Sequence, residues 1–288
     1  MTTVGKLFNE LVGELEELYS QEEAINIMRI VFQEKLGLSR ADMALQNEQT
    51  VDDKSRKLIF QIAEKLIEGQ PVQQLLGSVH FLKTKLRINK NVLIPRPETE
   101  ELVDIIIKEN RDEEELSVLD IGTGSGCIAI ALANNLPESQ VKALDISQPA
   151  LELARINAIA NNAAVDFLNL DILIEDNWKK LKIFDIIVSN PPYVLETEKE
   201  NMHVNVLNHE PHVALFVPEN DPLLFYEKIS DMALKHLSKT GKLYFEINAA
   251  FGQETKRMLL KKGFAEVTLR KDMNGRDRFI TACLRAAL

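Results

Sequence analysis

Apolar residues return every three or four positions through the first eighty residues and gather into short runs thereafter. The first spacing is one face of an α-helix, and the second is that of strands buried on both sides of a sheet. Val4, Leu7, Phe8, Leu11, Val12, Leu15 and Leu18 line one predicted helix. Ile25, Met28, Phe32 and Leu36 line a second that stops at Gly37, and Ser39 with Asp42 reads as a capping box opening another. Leu58, Ile59, Ile62, Ala63, Leu66 and Ile67 mark a further helix, ended by Gly69-Gln70-Pro71. A small helical bundle over residues 1–80 is the expectation.

The pattern then changes to alternation around Phe81, Thr84 and Leu86, followed by Val92-Leu93-Ile94, which predicts a hairpin linker over 81–95. Leu102 to Ile107 form a helix face beyond Pro95-Arg96-Pro97. Strands are expected at Val118–Ile121, Val141–Asp145, Val165–Leu168, Phe184–Ser189, Lys242–Ile247, Phe264–Leu269 and Phe279–Cys283, with helical stretches between most of them. Residues 96–288 therefore read as an open, doubly wound, Rossmann-like α/β sheet of seven strands, whose ligands belong at the carboxyl ends near the topological switch point.

Composition narrows the classes. Apolar residues make up 45% and charged residues 27%, as in a folded globular protein. No apolar run approaches the roughly 18 residues that cross a bilayer, and Met1-Thr2-Thr3-Val4-Gly5-Lys6 lacks a basic stretch leading into an apolar core, so a cytoplasmic protein without membrane contact is expected. Cys127 and Cys283 lack a metal-ligand spacing and read as buried apolar residues; no metal is expected. The formal charge of −10 disfavours a phosphate backbone as partner. A local exception is the set Arg270, Lys271, Arg276 and Arg278, which a turn at Asn274-Gly275 would bring together, either as a basic patch or as a solvated turn.

Candidate chemistry sits at two loops. Gly122-Thr123-Gly124-Ser125-Gly126 follows a strand and opens a helix, so a ligand can lie against bare backbone there. Its spacing differs from the G-x-G-x-x-G of dinucleotide sites. Asp145 closes the next strand, where a carboxylate accepts both ribose hydroxyls of an adenosine. Asp171 can accept the exocyclic amino hydrogens of adenine while Ile172 packs on its ring. A dinucleotide would use the same acids, so these residues alone leave an NAD-dependent dehydrogenase open.

Asn190-Pro191-Pro192-Tyr193 gives the second loop a task that a dehydrogenase does not have. A specified tetrapeptide arises by chance in roughly one chain in five hundred of this length. The Asn190 side-chain oxygen and the Pro191 carbonyl can each accept one hydrogen of a planar NH2 group. Consecutive prolines hold the backbone in place, and Tyr193 offers a ring to a flat group. Accepting both hydrogens returns the delocalised lone pair to nitrogen and aims it at an electrophilic methyl, so the four residues suit N-methylation by positioning.

With these residues assembled, the chain resembles the release factor glutamine methyltransferases. The resemblance runs through Gly69-Gln70-Pro71-Val72-Gln73, Gly77, Pro95-Arg96-Pro97-Glu98-Thr99-Glu100, Asp120 with Gly122 to Gly126, Asp145, Asn190 to Tyr193, and Glu210-Pro211 with Ala214-Leu215. It implies a helical substrate-recognition domain, a hairpin and a class I methyltransferase sheet. It also implies that S-adenosyl-L-methionine binds along Gly122, Thr123, Gly124, Ser125, Gly126, Asp145, Asp171, Ile172 and Asn190, leaving S-adenosyl-L-homocysteine as product. The acceptor it implies is the glutamine of the Gly-Gly-Gln motif of peptide chain release factors, held by Asn190, Pro191, Pro192 and Tyr193 during catalysis by a monomer, with no direct nucleic-acid contact. Three positions depart from the family: Gln74 where many members have an aromatic residue, Ile172 where many have Trp, and Asn248 where many have Gly. The alternatives are an N6-adenine DNA methyltransferase, which would hold a flipped base by the same hydrogen bonds, and a non-enzymatic adaptor that uses only the helical bundle.

Overall fold

The computed structural model describes residues 2–285, which form two compact units. The first runs to Ser78 and also contains His203–His209; the second holds Val79–Met202 and the chain from Glu210 onward.

In the first unit, helices Val4–Leu15, Gln21–Leu36, Arg40–Leu45, Asp53–Ile67 and Val72–Leu76 surround one apolar core. Thr3, Ser20 and Asp52 cap three of them through their side chains, and Ser39 forms the expected capping box with Asp42. Each such cap stabilises its helix by about 1 kcal/mol. Leu7, Leu11, Leu15, Met28, Phe32, Ile59 and Leu66 are buried, and Phe8 meets Phe32 edge-on with ring centroids 5.3 Å apart. Leu58 and Ile67, expected on the buried face, are exposed at 43% and 39%. They sit at the margins of the stripe, whose centre is Ile59, Ile62, Ala63 and Leu66. The short helix Val204–His209 also belongs to this unit: Asn205 donates to the Tyr19 hydroxyl at 2.9 Å, and Gln74 donates to the His209 carbonyl at 2.9 Å. Gln74, one of the departures from the family, thus acts here as a hydrogen-bond donor.

The second unit begins within the first strand of a hairpin, Ser78–Phe81 and Thr84–Arg87. It lies a few residues before the expected stretch because Leu82, with φ +49°, makes the turn without the glycine or asparagine that normally signals one. Val92 and Ile94 are buried against Ala150 and Leu153 rather than extended in a strand. A sheet of seven strands follows: β1 Ser117–Ile121, β2 Gln140–Asp145, β3 Val165–Asn169, β4 Phe184–Ser189, β5 Leu237–Glu246, β6 Phe264–Lys271 and β7 Asp277–Leu284. Their order is β6-β7-β5-β4-β1-β2-β3, with β7 antiparallel to both its neighbours and β1 to β5 mutually parallel.

β5 starts five residues earlier than the apolar run Lys242–Ile247 suggests. Its polar start carries a register shift against β4, and a Cβ at Gly241 would stand 2.9 Å from the Asp185 carbonyl oxygen, so the strand continues where only glycine fits. Helices Pro97–Asn110 and Cys127–Asn135 bury one face of the sheet through Val103, Ile106, Ile130 and Leu132. Helices Leu224–His236 and Gly252–Lys262 bury the other through Ile229, Met232 and Leu259. Each fully buried large apolar side chain contributes about 1.5–3 kcal/mol, and the two cores pack both faces of the sheet whose strand ends carry the loops.

The turn at Asn274-Gly275 forms as expected, yet its charges are used internally. Arg270 pairs with Glu109 at 2.5 Å and Arg278 with Asp272 at 3.3 Å, leaving no basic patch of four free cations. Cys127 is buried, and burial pushes its thiol up to about 12; Cys283 is only half-buried. Among the described residues no group of His, Cys, Asp and Glu could hold a metal ion, and no helix is long and apolar enough to cross a membrane.

Candidate active site

The order of the strands reverses at β1, where the chain steps out through β2 and β3 and then returns to place β4 on the other side. Ile121 is level with Ser189 across β1 and β4, and Asp145 with Asn169 across β2 and β3. The loops that leave these four ends therefore converge. They surround a cavity of about 250 Å³ in the second unit, large enough to take up much of a nucleoside-sized ligand.

Gly122 and Gly124 line this cavity with φ +73° and +55°, and a Cβ on either would meet no atom within 4 Å. A side chain there would be strained and would project into open space, so both positions form a bare backbone cradle. Asp145, half-buried beside them, accepts from the backbone N–H of Gly124 at 2.9 Å and of Ser147 at 2.8 Å. Burial nevertheless holds its carboxyl above the ordinary range, because the desolvation cost outweighs those bonds. A carboxylate has about four lone-pair sites, so both oxygens can still accept from ligand hydroxyls. Asp171 and Ile172 line the same cavity; Asp171 accepts from the Leu173 N–H at 2.8 Å, and Ile172 is buried with its carbonyl bonded to the Trp178 indole.

Thr123, Ser125 and Gly126 do not line the cavity. Thr123 is buried and donates to Asp120 at 2.6 Å; the Ser125 carbonyl accepts from Asn157 at 2.9 Å. Gly126 allows close packing, since a Cβ there would lie 3.0 Å from Ile130 and 3.2 Å from Ala154. These three residues hold the cradle from behind. Asp120 itself is wholly buried, one of its oxygens has no partner, and burial pushes its carboxyl up to about 7.

On the other wall stand Asn190, Pro191 and Pro192, immediately after β4. The Asn190 amide nitrogen donates to the Thr99 hydroxyl at 3.2 Å, and Thr99 donates to Glu246 at 2.7 Å. Tyr193 does not line this cavity; it is half-buried beside the sheet core and its hydroxyl reaches Glu246 at 3.2 Å. Burial raises both the phenol of Tyr193 and the carboxyl of Glu246. Asn248 accepts from the Ala250 N–H and donates to the Tyr193 carbonyl at 3.1 Å and to Glu198 at 3.0 Å. With φ −66° it needs no glycine, so this departure from the family ties down the loop after Asn190 rather than disturbing it.

Several cavity residues escape the pattern of the sequence. Asn91, Val92 and Leu93 come from the segment after the hairpin, and Phe225 and Ile229 from the helix before β5. Val213 and Ala214 follow Glu210-Pro211, a motif visible in the sequence without a role. Buried Glu210 accepts from the Ile94 N–H at 2.9 Å and from Arg96 at 2.5 Å.

A seven-stranded sheet with a glycine cradle, an acid after the next strand and an Asn-Pro-Pro-Tyr loop at its switch point defines a Rossmann-like class I methyltransferase. A methyltransferase of Pyrococcus furiosus has the same fold, with a TM-score of 0.52 and 18% identity over 78% of this chain and 98% of that one. The family model for the methyltransferase small domain matches residues 99–215, and that for the PrmC N-terminal domain matches residues 6–77. A release factor glutamine methyltransferase of Flavobacterium psychrophilum is 44% identical over 96% of this chain and 97% of its own. Another, from Bacteroides thetaiotaomicron, is 43% identical over 93% of this chain and 95% of its own. The chain belongs to the release factor glutamine methyltransferase family.

Proposed function

We propose that the protein transfers a methyl group from S-adenosyl-L-methionine to the side-chain amide nitrogen of the Gly-Gly-Gln glutamine in peptide chain release factors. The observation that carries this reading is that one cavity has the Gly122, Gly124 and Asp145 cradle on one wall and Asn190 to Pro192 on the other. The fit to the donor is specific. Open space faces two glycines, Asp145 keeps acceptor capacity for ribose hydroxyls, and Asp171 with the apolar Ile172 suits an adenine edge and face. When bound, the donor supplies an electrophilic sulfonium methyl.

The remaining work falls to the chain's own residues. Because the Asn190 nitrogen is spent on Thr99, its oxygen is the end left to accept a hydrogen from the glutamine NH2. The Pro191 carbonyl accepts the second, and the two bonds hold the nitrogen with its lone pair across the amide plane. Tyr193, tied to Glu246, acts as a fixed support for this loop. Among the described residues, the ionisable ones lining the cavity are Asp145 and Asp171, neither of them on the Asn190 loop. An amide nitrogen that gains a methyl becomes cationic and strongly acidic, so it sheds its proton without a strong base, and positioning carries the rate.

The N-terminal unit reads the body of the factor in this proposal, since a single glutamine is too small an epitope to select a protein. Its deletion raises KM for intact factor more than for a short peptide. The enzyme works in the cytoplasm as a single chain, as one chain supplies both walls. The DNA alternative loses support because Arg270 and Arg278 are already paired. Incubation with radiolabelled donor is expected to label a wild-type release factor and leave its Gln→Ala form unlabelled; labelling of both would refute the proposal.

A further inference from the structure

Three hydrogen bonds link the acceptor loop to a buried carboxylate that never reaches the cavity. Glu246, at the end of β5, is 1% exposed and does not line the cavity. It accepts from Thr99 at 2.7 Å and from the Tyr193 hydroxyl at 3.2 Å. Thr99 lies in the first turn of helix Pro97–Asn110, is itself buried, and accepts from the Asn190 amide nitrogen at 3.2 Å. These residues are spread over the sequence from 99 to 246 and meet only in the fold.

The direction of each bond follows from the inventory of hydrogens. Glu246 accepts on both oxygens, Oε2 from Thr99 and Oε1 from Tyr193, and a threonine hydroxyl has one hydrogen to give. Once that hydrogen goes to Glu246, the Thr99 oxygen can serve its other neighbour only as an acceptor. The two ends of an asparagine amide have nearly the same shape and differ in polarity, so a neighbour of defined polarity decides which end faces which way. Here the neighbour demands the NH2 end.

We infer that Glu246 and Thr99 are positioning residues that set the polarity of Asn190, turning its oxygen toward the acceptor and thereby selecting acceptors that carry N–H hydrogens. This inference rests on the proposed methyl transfer to an amide nitrogen. Without the Thr99 hydroxyl the amide is free to flip, and a flipped Asn190 presents two hydrogens to an NH2 group that has only hydrogens to offer. The acceptor is then repelled while the donor cradle is untouched.

The test uses the full-length enzyme with a wild-type release factor and compares Thr99→Val with Thr99→Ser. Thr99→Val keeps the shape and loses the hydroxyl; Thr99→Ser keeps the hydroxyl. The valine variant is expected to lose roughly 10- to 100-fold in kcat, less than the roughly 10²- to 10³-fold for removing a group that itself contacts the reacting atoms, because Thr99 acts through Asn190, while donor affinity measured by calorimetry stays within about threefold. The serine variant is expected to retain most of the wild-type rate. In an Asn190→Ala background Thr99→Val is expected to cost nothing further, because the group it orients is gone. Should the valine variant fail to fold, Thr99→Ala removes the same hydroxyl without crowding and must show the same loss. Full activity in a folded variant without the hydroxyl, equal loss in the serine and valine variants, or an undiminished cost in the Asn190→Ala background would each overturn the inference. A wild-type enzyme that fails to methylate the factor would instead refute the proposed function.

Discussion

The two walls of the cavity are built in different ways. The wall proposed to hold the donor is made from backbone: two glycines with positive φ and a carboxylate that holds the loops through the N–H groups of Gly124 and Ser147. The wall proposed to hold the acceptor is made from side chains: Asn190 is bonded to Thr99, Thr99 to Glu246, and the same Glu246 to Tyr193. A backbone cradle tolerates variation in the side chains around it, as Ile172 shows by filling its place without the Trp common in the family. A side-chain relay has no such tolerance, because each member fixes the polarity of the next.

Substitutions that strike one wall should leave the other working. The largest effect is expected from Asn190→Ala, which removes an acceptor on which the proposed methyl transfer depends: kcat is expected to fall roughly 10²- to 10³-fold, whereas donor affinity changes far less. Loss of donor binding in proportion to rate would erase the distinction between the walls. Gly124→Val strikes the donor side. Its φ of +55° strains a β-branched residue by on the order of 1–3 kcal/mol, and the new methyls occupy the donor's space. Donor affinity should drop about 100-fold, or near 2.7 kcal/mol, with the rate at saturating donor much less affected. An unchanged affinity would show that the ligand does not lie against this loop.

The smallest effect concerns Asp120 behind the cradle, whose carboxyl burial raises to about 7. At a pH below the ordinary aspartate value of about 3.9 the group is neutral both folded and unfolded and costs nothing. As the pH rises, the unfolded chain releases the proton while the folded chain retains it. Stability from this group is therefore lost up to about pH 7 and stays lost above it. Asp120→Asn should flatten the fall in Tm between about pH 4 and pH 7 by a few degrees. Superimposable pH profiles would show that this carboxyl carries no such penalty.

The contrast between the walls also explains how much could be read in the sequence. The strands and the helices of the bundle follow from periodicity, and the glycine loop, Asp145 and Asn190 to Tyr193 are contiguous or sit at strand ends, where local rules apply. The start of β5 was hidden because a polar segment containing Gly241 continues the strand through a register shift. The hairpin was displaced because Leu82 adopts a positive φ that its residue type does not announce. Thr99 and Glu246 were invisible as a pair, since nothing local connects residues so far apart; only the fold makes them partners of Asn190. For the same reason Thr123 and Ser125, neighbours of the cradle in sequence, turned out to be buried supports.

The central claim is that both walls serve a single transfer to one amide nitrogen. It is tested most directly by fragment mass spectrometry of a release factor after incubation with enzyme and donor. The expected result is the mass of one methyl group on the Gly-Gly-Gln glutamine side chain, absent when Asn190→Ala enzyme is used. A methyl on any other residue, or none with wild-type enzyme, would contradict the account.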